Sequence, residues 1–248
     1  MTEKQGRYFY CPLLFLLLLT LFNDKNFAVS KILYTFALKK QKNLNIMDKS
    51  RVLIIVDFQK DFAKKDGSLY VEGAEKALEN IKKYINENQV NAVIFTVDWH
   101  YRDDRSFKQN GGQWPVHCVQ YSEGAGIVDE LFKLVVVEKD LPYFVFTKGT
   151  KVTHEEYGAF EERIEDKVSP DLIVTENYGH DCQMALGKMH EYVICGLAGD
   201  YCVYETYKNL KESNLDIIPF YDGMAFIGEK FDFEGKYNSQ KESSNEQG

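Results

Sequence analysis

The sequence predicts an α/β protein with a mostly parallel central sheet. Short apolar runs recur along the chain and alternate with stretches whose apolar residues have helical spacing, which is typical of parallel βα units. The run at 51–56 is apolar after its first residue rather than alternating, as expected for a strand covered on both faces. The chain, at 248 residues, is long enough to bury a sizeable core as one domain.

The elements follow in order along the chain. Strands are predicted at 51–56, 92–97, 143–147, 172–174 and 215–219, with another beginning at Val193. Helices are predicted at 73–88, 160–168, 183–190 and 203–212, whereas 127–137 mixes helix and strand patterns. The long loop 101–121 contains aromatic residues and a histidine, which favours a functional loop.

Composition and charge exclude some classes of protein. The net charge of −8 argues against a general nucleic-acid surface. The five cysteines are odd in number and show no CxxC spacing, a pattern that fits reduced thiols better than a disulfide framework. We therefore expect a cytoplasmic protein.

Both ends of the chain are expected to lie outside the main folded domain, which is predicted at 47–233. The N-terminal extension, 1–46, contains a nearly all-apolar run from Tyr10 to Phe22, shorter than the ~20 residues of a membrane-spanning helix. It has the character of a signal-peptide core or anchor, but Met47 leads directly into the first strand, and we favour translation starting there. The polar tail, 234–248, is expected to be disordered.

Polar residues of cooperating types follow four predicted strands. They are Asp57, Asp98 with His100, Lys148 and Cys202. Because ligands of parallel α/β sheets bind beyond the carboxyl ends of the strands, we expect these side chains to meet in one site.

Cysteine, aspartate and lysine make a plausible acyl-transfer set. Cys202 opens a predicted helix, whose dipole favours a thiolate, and small residues before it leave backbone N–H groups free to face an oxyanion. Asp57 would accept the thiol proton and Lys148 would balance the charge. The alternatives are a buried structural cysteine, a capping aspartate and a surface lysine.

A metal site is predicted beside this set. Asp98 and His100 are two residues apart, so in extended chain they project to one face, and His117 can supply a third ligand. Three protein ligands that leave positions open are typical of a catalytic or substrate-binding site, and this donor set suits Zn²⁺, Fe²⁺ or Mn²⁺. Three unrelated loop residues are the alternative.

Five motifs together resemble the nicotinamidase branch of the isochorismatase-like cysteine hydrolases, over about residues 51–226. They are VDFQKDF at 56–62, TVDWH at 96–100, WPVHC at 114–118, FTKG at 146–149 and CGLAGDYCV at 195–203. The resemblance implies a three-layer α/β/α fold with a doubly wound, mostly parallel sheet.

The resemblance also implies roles for individual residues. Asp57, Lys148 and Cys202 match the catalytic triad, and the amides of Ala198 and Cys202 match the oxyanion hole after a cis peptide bond at Leu197–Ala198. The metal ligands, for which zinc is favoured, match Asp98, His100 and His117, and the metal is thought to bind the ring nitrogen of the substrate. The substrate wall matches Phe62 and Trp114, with Tyr157 as an addition. Asp104 stands near the place where some members have a further histidine.

The implied activity is hydrolysis of nicotinamide to nicotinic acid and ammonia through a cysteine thioester, for NAD salvage. Relatives that hydrolyse isochorismate lack the metal set, which argues against that substrate. Two alternatives stay open: a metal-containing amidohydrolase for another small amide, and a non-catalytic scaffold. A homo-oligomer is also left open.

Overall fold

A computed structural model of the chain describes residues 50–151, 155–161, 163–164, 172–177, 182–188 and 190–245. The predictions for 1–46, and for most of the helix predicted at 160–168, lie outside these residues. None of the helices in the described ranges combines the length and apolarity needed to span a bilayer.

Within the residues that the structure describes, eight strands form two sheets. The strands are β1 (Arg51–Val56), β2 (Ala92–Asp98), β3 (Tyr143–Lys148), β4 (Arg163–Ile164), β5 (Leu172–Asn177), β6 (Cys182–Gly187), β7 (Glu191–Gly196) and β8 (Ile217–Met224). The larger sheet has the order β3-β2-β1-β7-β8, and all of its neighbouring strands are parallel. The mostly parallel sheet predicted from the sequence is therefore confirmed.

The helices are α1 (Lys60–Ala63), α2 (Ala74–Glu87), α3 (Asp129–Lys133), α4 (Tyr204–Glu212) and α5 (Phe233–Asn245). A π-helical turn, Leu134–Glu138, continues α3, so the ambiguous segment 127–137 is largely helical. A second π-helical turn, Gly199–Val203, leads into α4.

The core lies around the central strand of the larger sheet. The last five residues of β1 are almost fully buried, which agrees with their continuous apolarity. Helix α2 buries Ala74, Ala77, Ile81 and Ile85, the face that its spacing predicts. This packing fixes the strands whose carboxyl ends build the site.

The prediction of a helix at 183–190 is wrong, because most of this segment belongs to β6 in a small antiparallel sheet, β4-β5-β6. Its backbone pairs with β5 along the whole strand, from Leu172 opposite Gly187 to Asn177 opposite Cys182. Strand pairing satisfies the backbone groups of both segments, so tertiary context overrides the local helical pattern. Residues 163–164, predicted helical, add β4 to this sheet.

The expectation of a disordered tail after Phe233 is also wrong, because residues 233–245 form α5. Phe233 is fully buried and its ring lies 5.2 Å from that of Tyr204 on α4. The hydroxyl of Tyr204 donates a hydrogen bond to Oε1 of Gln240, at 2.7 Å. Contacts with Tyr204 of α4 therefore stabilise α5, although the sequence of α5 is mostly polar.

Candidate active site

The parallel register brings the predicted catalytic and metal residues to one edge of the sheet. Asp98 and Lys148 are direct partners across β2 and β3. Asp57 follows the central strand β1, and its N–H donates to the carbonyl oxygen of Thr96 at 3.0 Å. Cys202 lies beyond the end of β7, the neighbour of β1 on the other side.

Lys148 is the centre of the site. Its Nζ lies 2.7 Å from Oδ2 of Asp57 and 2.5 Å from Oδ1 of Asp98. The same nitrogen lies 3.4 Å from Sγ of Cys202. The side chain of Lys148 is completely buried, so an ammonium here requires the two carboxylates.

Burial sets the protonation of the reacting groups. It raises the pKa of the Asp57 carboxyl to about 6, although the Lys148 ammonium opposes this rise. Burial likewise raises the pKa of the Cys202 thiol well above its ordinary value, again against the effect of Lys148. Burial would lower the pKa of Lys148, but Asp57 and Asp98 outweigh it and hold that pKa well above its ordinary value. The resting pair is therefore a neutral thiol beside a carboxylate.

The helix dipole was expected to favour a thiolate at Cys202, but burial has the larger effect on the pKa of this thiol and raises it. Cys202 lies within the π-helical turn Gly199–Val203 and is 7% exposed, so the loss of water outweighs the dipole. A nucleophilic role for Cys202 would require a base, and Asp57 is close by. One carboxylate oxygen each of Asp57 and Asp98 and the sulfur of Cys202 lie within 4.8 Å of one another.

Two contacts orient the Asp57 carboxyl. Thr96 Oγ1 donates a hydrogen bond to Oδ1 at 2.7 Å, which leaves Oδ2 for Lys148. The backbone of Asp57 has φ of 48°, a left-handed conformation that is uncommon for a non-glycine residue and that occurs at functional sites.

The backbone before Cys202 leaves an amide free for an oxyanion. The Leu197–Ala198 peptide bond is cis, where the resemblance implies one. The N–H groups of Gly199, Tyr201 and Val203 donate to backbone carbonyls, whereas that of Ala198 donates to none within the described ranges. Ala198 and Cys202 both line the cleft, and the roles of their amides in an oxyanion hole stay a prediction.

The predicted metal ligands converge. Asp98, His100 and His117 are all buried, and one ligand atom of each lies within 4.8 Å of the other two. Oδ2 of Asp98 is 3.5 Å from Nε2 of His100 and 3.8 Å from Nε2 of His117. Oδ1 of the same carboxylate binds Lys148, so Asp98 joins the metal-ligand set to the triad.

The chemistry of these atoms fits a divalent cation. Nε2 of His100 is buried without a hydrogen-bond partner among the described residues, as a ligating nitrogen would be. Nδ1 of His117 lies 2.8 Å from the carbonyl oxygen of Pro115, which leaves Nε2 of that ring for a cation.

The two histidines differ in charge environment. Burial lowers the pKa of His117. Burial acts in the same direction on His100, but Asp98 and Asp104 outweigh it and raise the pKa of His100 to about 10. A divalent cation would displace the proton, because ligation requires the neutral imidazole.

The cleft between these groups has an aromatic wall. Phe62, Trp114 and Tyr157, the three predicted wall residues, all line it. Nε1 of Trp114 donates to the hydroxyl of Tyr157 at 3.1 Å, and the rings of Phe62 and His117 lie 5.3 Å apart. The site is thus a small aromatic cleft lined by Cys202 on one side and by Asp98 and His117 on the other.

Sequence reasoning missed several residues of the site. Gln59 is fully buried, accepts from the N–H of Asp98 at 2.7 Å and donates to its carbonyl oxygen at 2.8 Å, so it clamps the backbone of a metal ligand. The sequence around Gln59 mixes polar and apolar residues, so no local pattern marks this role. The cleft also includes Leu69, Val71, Glu155, Tyr201 and Ile227.

Comparisons with known proteins agree with this architecture. The isochorismatase domain family matches residues 51–157. The nicotinamidase of Escherichia coli (strain K12) is 30% identical over 174 residues, which cover 63% of this chain and 74% of the relative.

Two solved structures share the fold. A protein from L. infantum, solved in complex with nicotinate, is 25% identical with a TM-score of 0.58 and covers 79% of this chain and 90% of its own. The pyrazinamidase of Pyrococcus horikoshii, solved in complex with zinc, is 25% identical with a TM-score of 0.53. The match covers 78% of this chain and 95% of the pyrazinamidase chain. The chain belongs to the isochorismatase-like family, in the branch that contains the nicotinamidases. The three-layer α/β/α fold implied by the resemblance is confirmed with it.

Proposed function

We propose that this enzyme, an amidohydrolase by its family, hydrolyses nicotinamide to nicotinate and ammonia through a thioester on Cys202. One observation carries the proposal: Nζ of Lys148 contacts Asp57, Asp98 and Cys202 at once. The contacts of this buried ammonium support a site in which the proposed base, the proposed nucleophile and a metal-facing carboxylate surround a single point. The nicotinamidase relative and the nicotinate-bound relative support a pyridine carboxamide as the substrate.

The aromatic cleft suits a flat ring. Nicotinamide would lie between Phe62 and Trp114, with Tyr157 on the same wall and its carboxamide toward Cys202. Asp98, His100 and His117 would hold a divalent cation, with zinc favoured over iron or manganese and with the zinc-bound pyrazinamidase as support. When bound, the cation supplies a Lewis acid for the ring nitrogen of the substrate.

Acylation would proceed by proton transfer and attack. Asp57 takes the proton of the Cys202 thiol, and the sulfur forms a bond to the carboxamide carbon. The carbonyl electrons move to oxygen, and the amides of Ala198 and Cys202 stabilise that oxyanion, an effect worth about 3–4 kcal/mol per donor. The C–N bond then breaks, and the nitrogen leaves as ammonia with the proton that Asp57 returns.

Deacylation would reverse these roles with water. Asp57 takes a proton from a water molecule, whose oxygen attacks the thioester carbon. The C–S bond breaks, the proton on Asp57 passes to the sulfur of Cys202, and nicotinic acid leaves and loses its remaining proton to solvent to give nicotinate. Lys148 stays charged throughout and balances Asp57 and the transient thiolate.

Two other functions are weaker candidates. A small amide without a ring nitrogen would have less use for the three metal ligands. Burying Asp57, Lys148 and Asp98 costs desolvation free energy. Catalysis gives a reason for that burial, and a non-catalytic scaffold does not. We further propose that the product feeds NAD salvage in the cytoplasm, where unpaired thiols such as Cys118, Cys195 and Cys202 stay reduced.

The test is ammonia release from nicotinamide, measured with and without a metal chelator. We expect turnover by the purified chain, loss of that turnover on chelation, and its return when zinc is added. Benzamide, which lacks the ring nitrogen, is the matched control substrate and should be hydrolysed poorly. The absence of ammonia from metal-loaded protein would contradict the proposed function, and equal turnover of benzamide would contradict the role of the metal ligands.

A further inference from the structure

Asp104 lies next to the metal ligands but faces away from the point where they converge. Its Oδ2 lies 3.1 Å from Nδ1 of His100. Nε2 on the opposite side of that ring is the atom that lies 3.5 Å from Asp98. Asp104 is absent from the group of ligand atoms that Asp98, His100 and His117 form. The imidazole therefore separates the Asp104 carboxylate from the metal position.

The loop holds Asp104 firmly in this orientation. Its Oδ1 accepts a hydrogen bond from the N–H of Ser106 at 2.9 Å, so the Oδ2 oxygen remains for His100. Its carbonyl oxygen accepts from Nδ2 of Asn110 at 2.7 Å, and its N–H donates to the carbonyl oxygen of Tyr101 at 3.1 Å. Asp104 is 6% exposed, so water competes little for these contacts.

The two ligand histidines have different partners on Nδ1. His117 faces the neutral carbonyl oxygen of Pro115, whereas His100 faces the carboxylate of Asp104. A carboxylate on Nδ1 fixes the tautomer and ring orientation and makes Nε2 a stronger donor to a metal. His100 is therefore the more strongly supported of the two nitrogen ligands.

We propose that Asp104 is a positioning residue for the metal site, which orients His100 and sets the affinity for zinc, and that it is not itself a metal ligand. The proposal rests on the proposed function, because it takes a divalent cation to be resident. Loss of such a partner typically weakens metal binding about 10–100-fold. The hydrogen bond and the charge contribute separately, so a neutral acceptor at this position retains part of the effect.

The experiment measures the Kd for zinc by competition with a chromophoric chelator, on the full chain and without substrate. We expect Asp104→Ala to raise Kd about 10–100-fold and Asp104→Asn to raise it by less. Asp103→Asn is the matched control, since it removes the same charge from an exposed neighbour in the loop, and it should leave Kd within about twofold. Circular dichroism tests whether each variant folds. If Asp104→Ala does not fold, the zinc Kd of Asp104→Asn alone decides the proposal.

Cobalt substitution separates a positioning residue from a ligand. The visible absorption of the Co²⁺-loaded Asp104→Asn variant should match that of the wild type, because the ligands themselves are unchanged. A changed Co²⁺ spectrum would assign Asp104 to the coordination sphere and overturn the proposal. An unchanged zinc Kd in both Asp104 variants would overturn it equally.

Nitrogen-15 NMR of the zinc-loaded protein gives a second readout. The Nδ1–H proton of His100 should exchange slowly in the wild type and rapidly in Asp104→Ala, while that of His117, held by Pro115, should not change. A protein that shows these effects but releases no ammonia from nicotinamide would contradict the proposed function and leave the role of Asp104 intact.

Discussion

Asp98 and Lys148 form a buried ion pair, with Oδ1 of Asp98 2.5 Å from Nζ of Lys148, and the other oxygen of Asp98 faces two histidines. The two residues are also register partners on adjacent parallel strands. One carboxylate therefore connects the ammonium of the triad with the metal ligands. A substitution of Lys148 should therefore affect the metal site, and a change at the metal site should affect Lys148.

Replacing Lys148 with methionine should destabilise the fold as well as abolish activity. The change leaves the buried carboxylates of Asp57 and Asp98 without their shared cation, which typically costs about 3–5 kcal/mol. Urea unfolding measures the loss, and zinc should restore part of it by neutralising Asp98. Lys133→Met is the control, because that exposed lysine pairs with Glu138 at 3.5 Å and its loss should cost less than about 1 kcal/mol. Equal stability of the two variants would contradict the buried pair.

Activity should fall on the acid side of pH 6. The pKa of Asp57 is raised to about 6, and the carboxyl accepts the thiol proton only when it is ionised. Below that pH the protonated fraction of the Asp57 carboxyl increases, so kcat/KM for nicotinamide should decrease about tenfold per pH unit. The profile is measured at saturating zinc, with bound metal determined at each pH. An acid limb centred near pH 4, with metal retained, would contradict the role of a desolvated base.

Replacing Gly149 with alanine should weaken metal binding. Gly149 has φ of 68°, and a Cβ there would lie 2.7 Å from Cε1 of His100. The added methyl group strains the backbone and displaces a ligand ring that Asp98 and Asp104 hold in place. Zinc Kd, measured by chelator competition, should rise at least tenfold. Gly111→Ala, which also has a positive φ but meets no atom within 4 Å, should leave Kd unchanged.

Replacing Tyr157 with phenylalanine should raise KM more than it lowers kcat. The hydroxyl accepts hydrogen bonds from Nε1 of Trp114 at 3.1 Å and Nε2 of Gln113 at 2.7 Å, so it fixes the aromatic wall without touching the triad. Loss of a hydrogen bond of this kind costs about 0.5–1.5 kcal/mol, or roughly a two- to tenfold rise in KM. Steady-state kinetics measures KM and kcat. Tyr143→Phe, at a remote and partly exposed position, is the control. A large fall in kcat at constant KM would instead place Tyr157 in the chemical steps.

The sequence predicted the central sheet and the residues at its edge because both depend on local patterns. Continuous apolar runs mark strands such as β1, and the polar residues that follow them must lie at the carboxyl ends. The antiparallel β4-β5-β6 sheet was not predictable in this way, because it arises from pairing between distant segments that overrides local propensity. Helix α5 was missed for a related reason: its polar composition hides a few aromatic anchors, chiefly Phe233, which pack against Tyr204 of α4 and Tyr221 of β8.

Within the site, residue types were predictable and orientations were not. Asp57, Lys148 and Cys202 were recognisable from their positions after strands, but the pKa of the thiol depends on burial that spacing cannot reveal. The contact of Asp104 with Nδ1 of His100, rather than with the metal position, depends on the fold of the loop. Gln59 was overlooked because a clamp on the backbone of Asp98 has no sequence signature of its own.

Ammonia release by Cys202→Ala is the most direct test of the central claim, that the sulfur at the edge of the sheet is the nucleophile. Cys195→Ala is the matched control, since Cys195 is also buried but lies within β7, with Sγ 3.6 Å from the carbonyl oxygen of Ile54. Both variants should fold and bind zinc; Cys195→Ala should hydrolyse nicotinamide, and Cys202→Ala should release no ammonia above background. Release by Cys202→Ala at the wild-type rate would contradict the account.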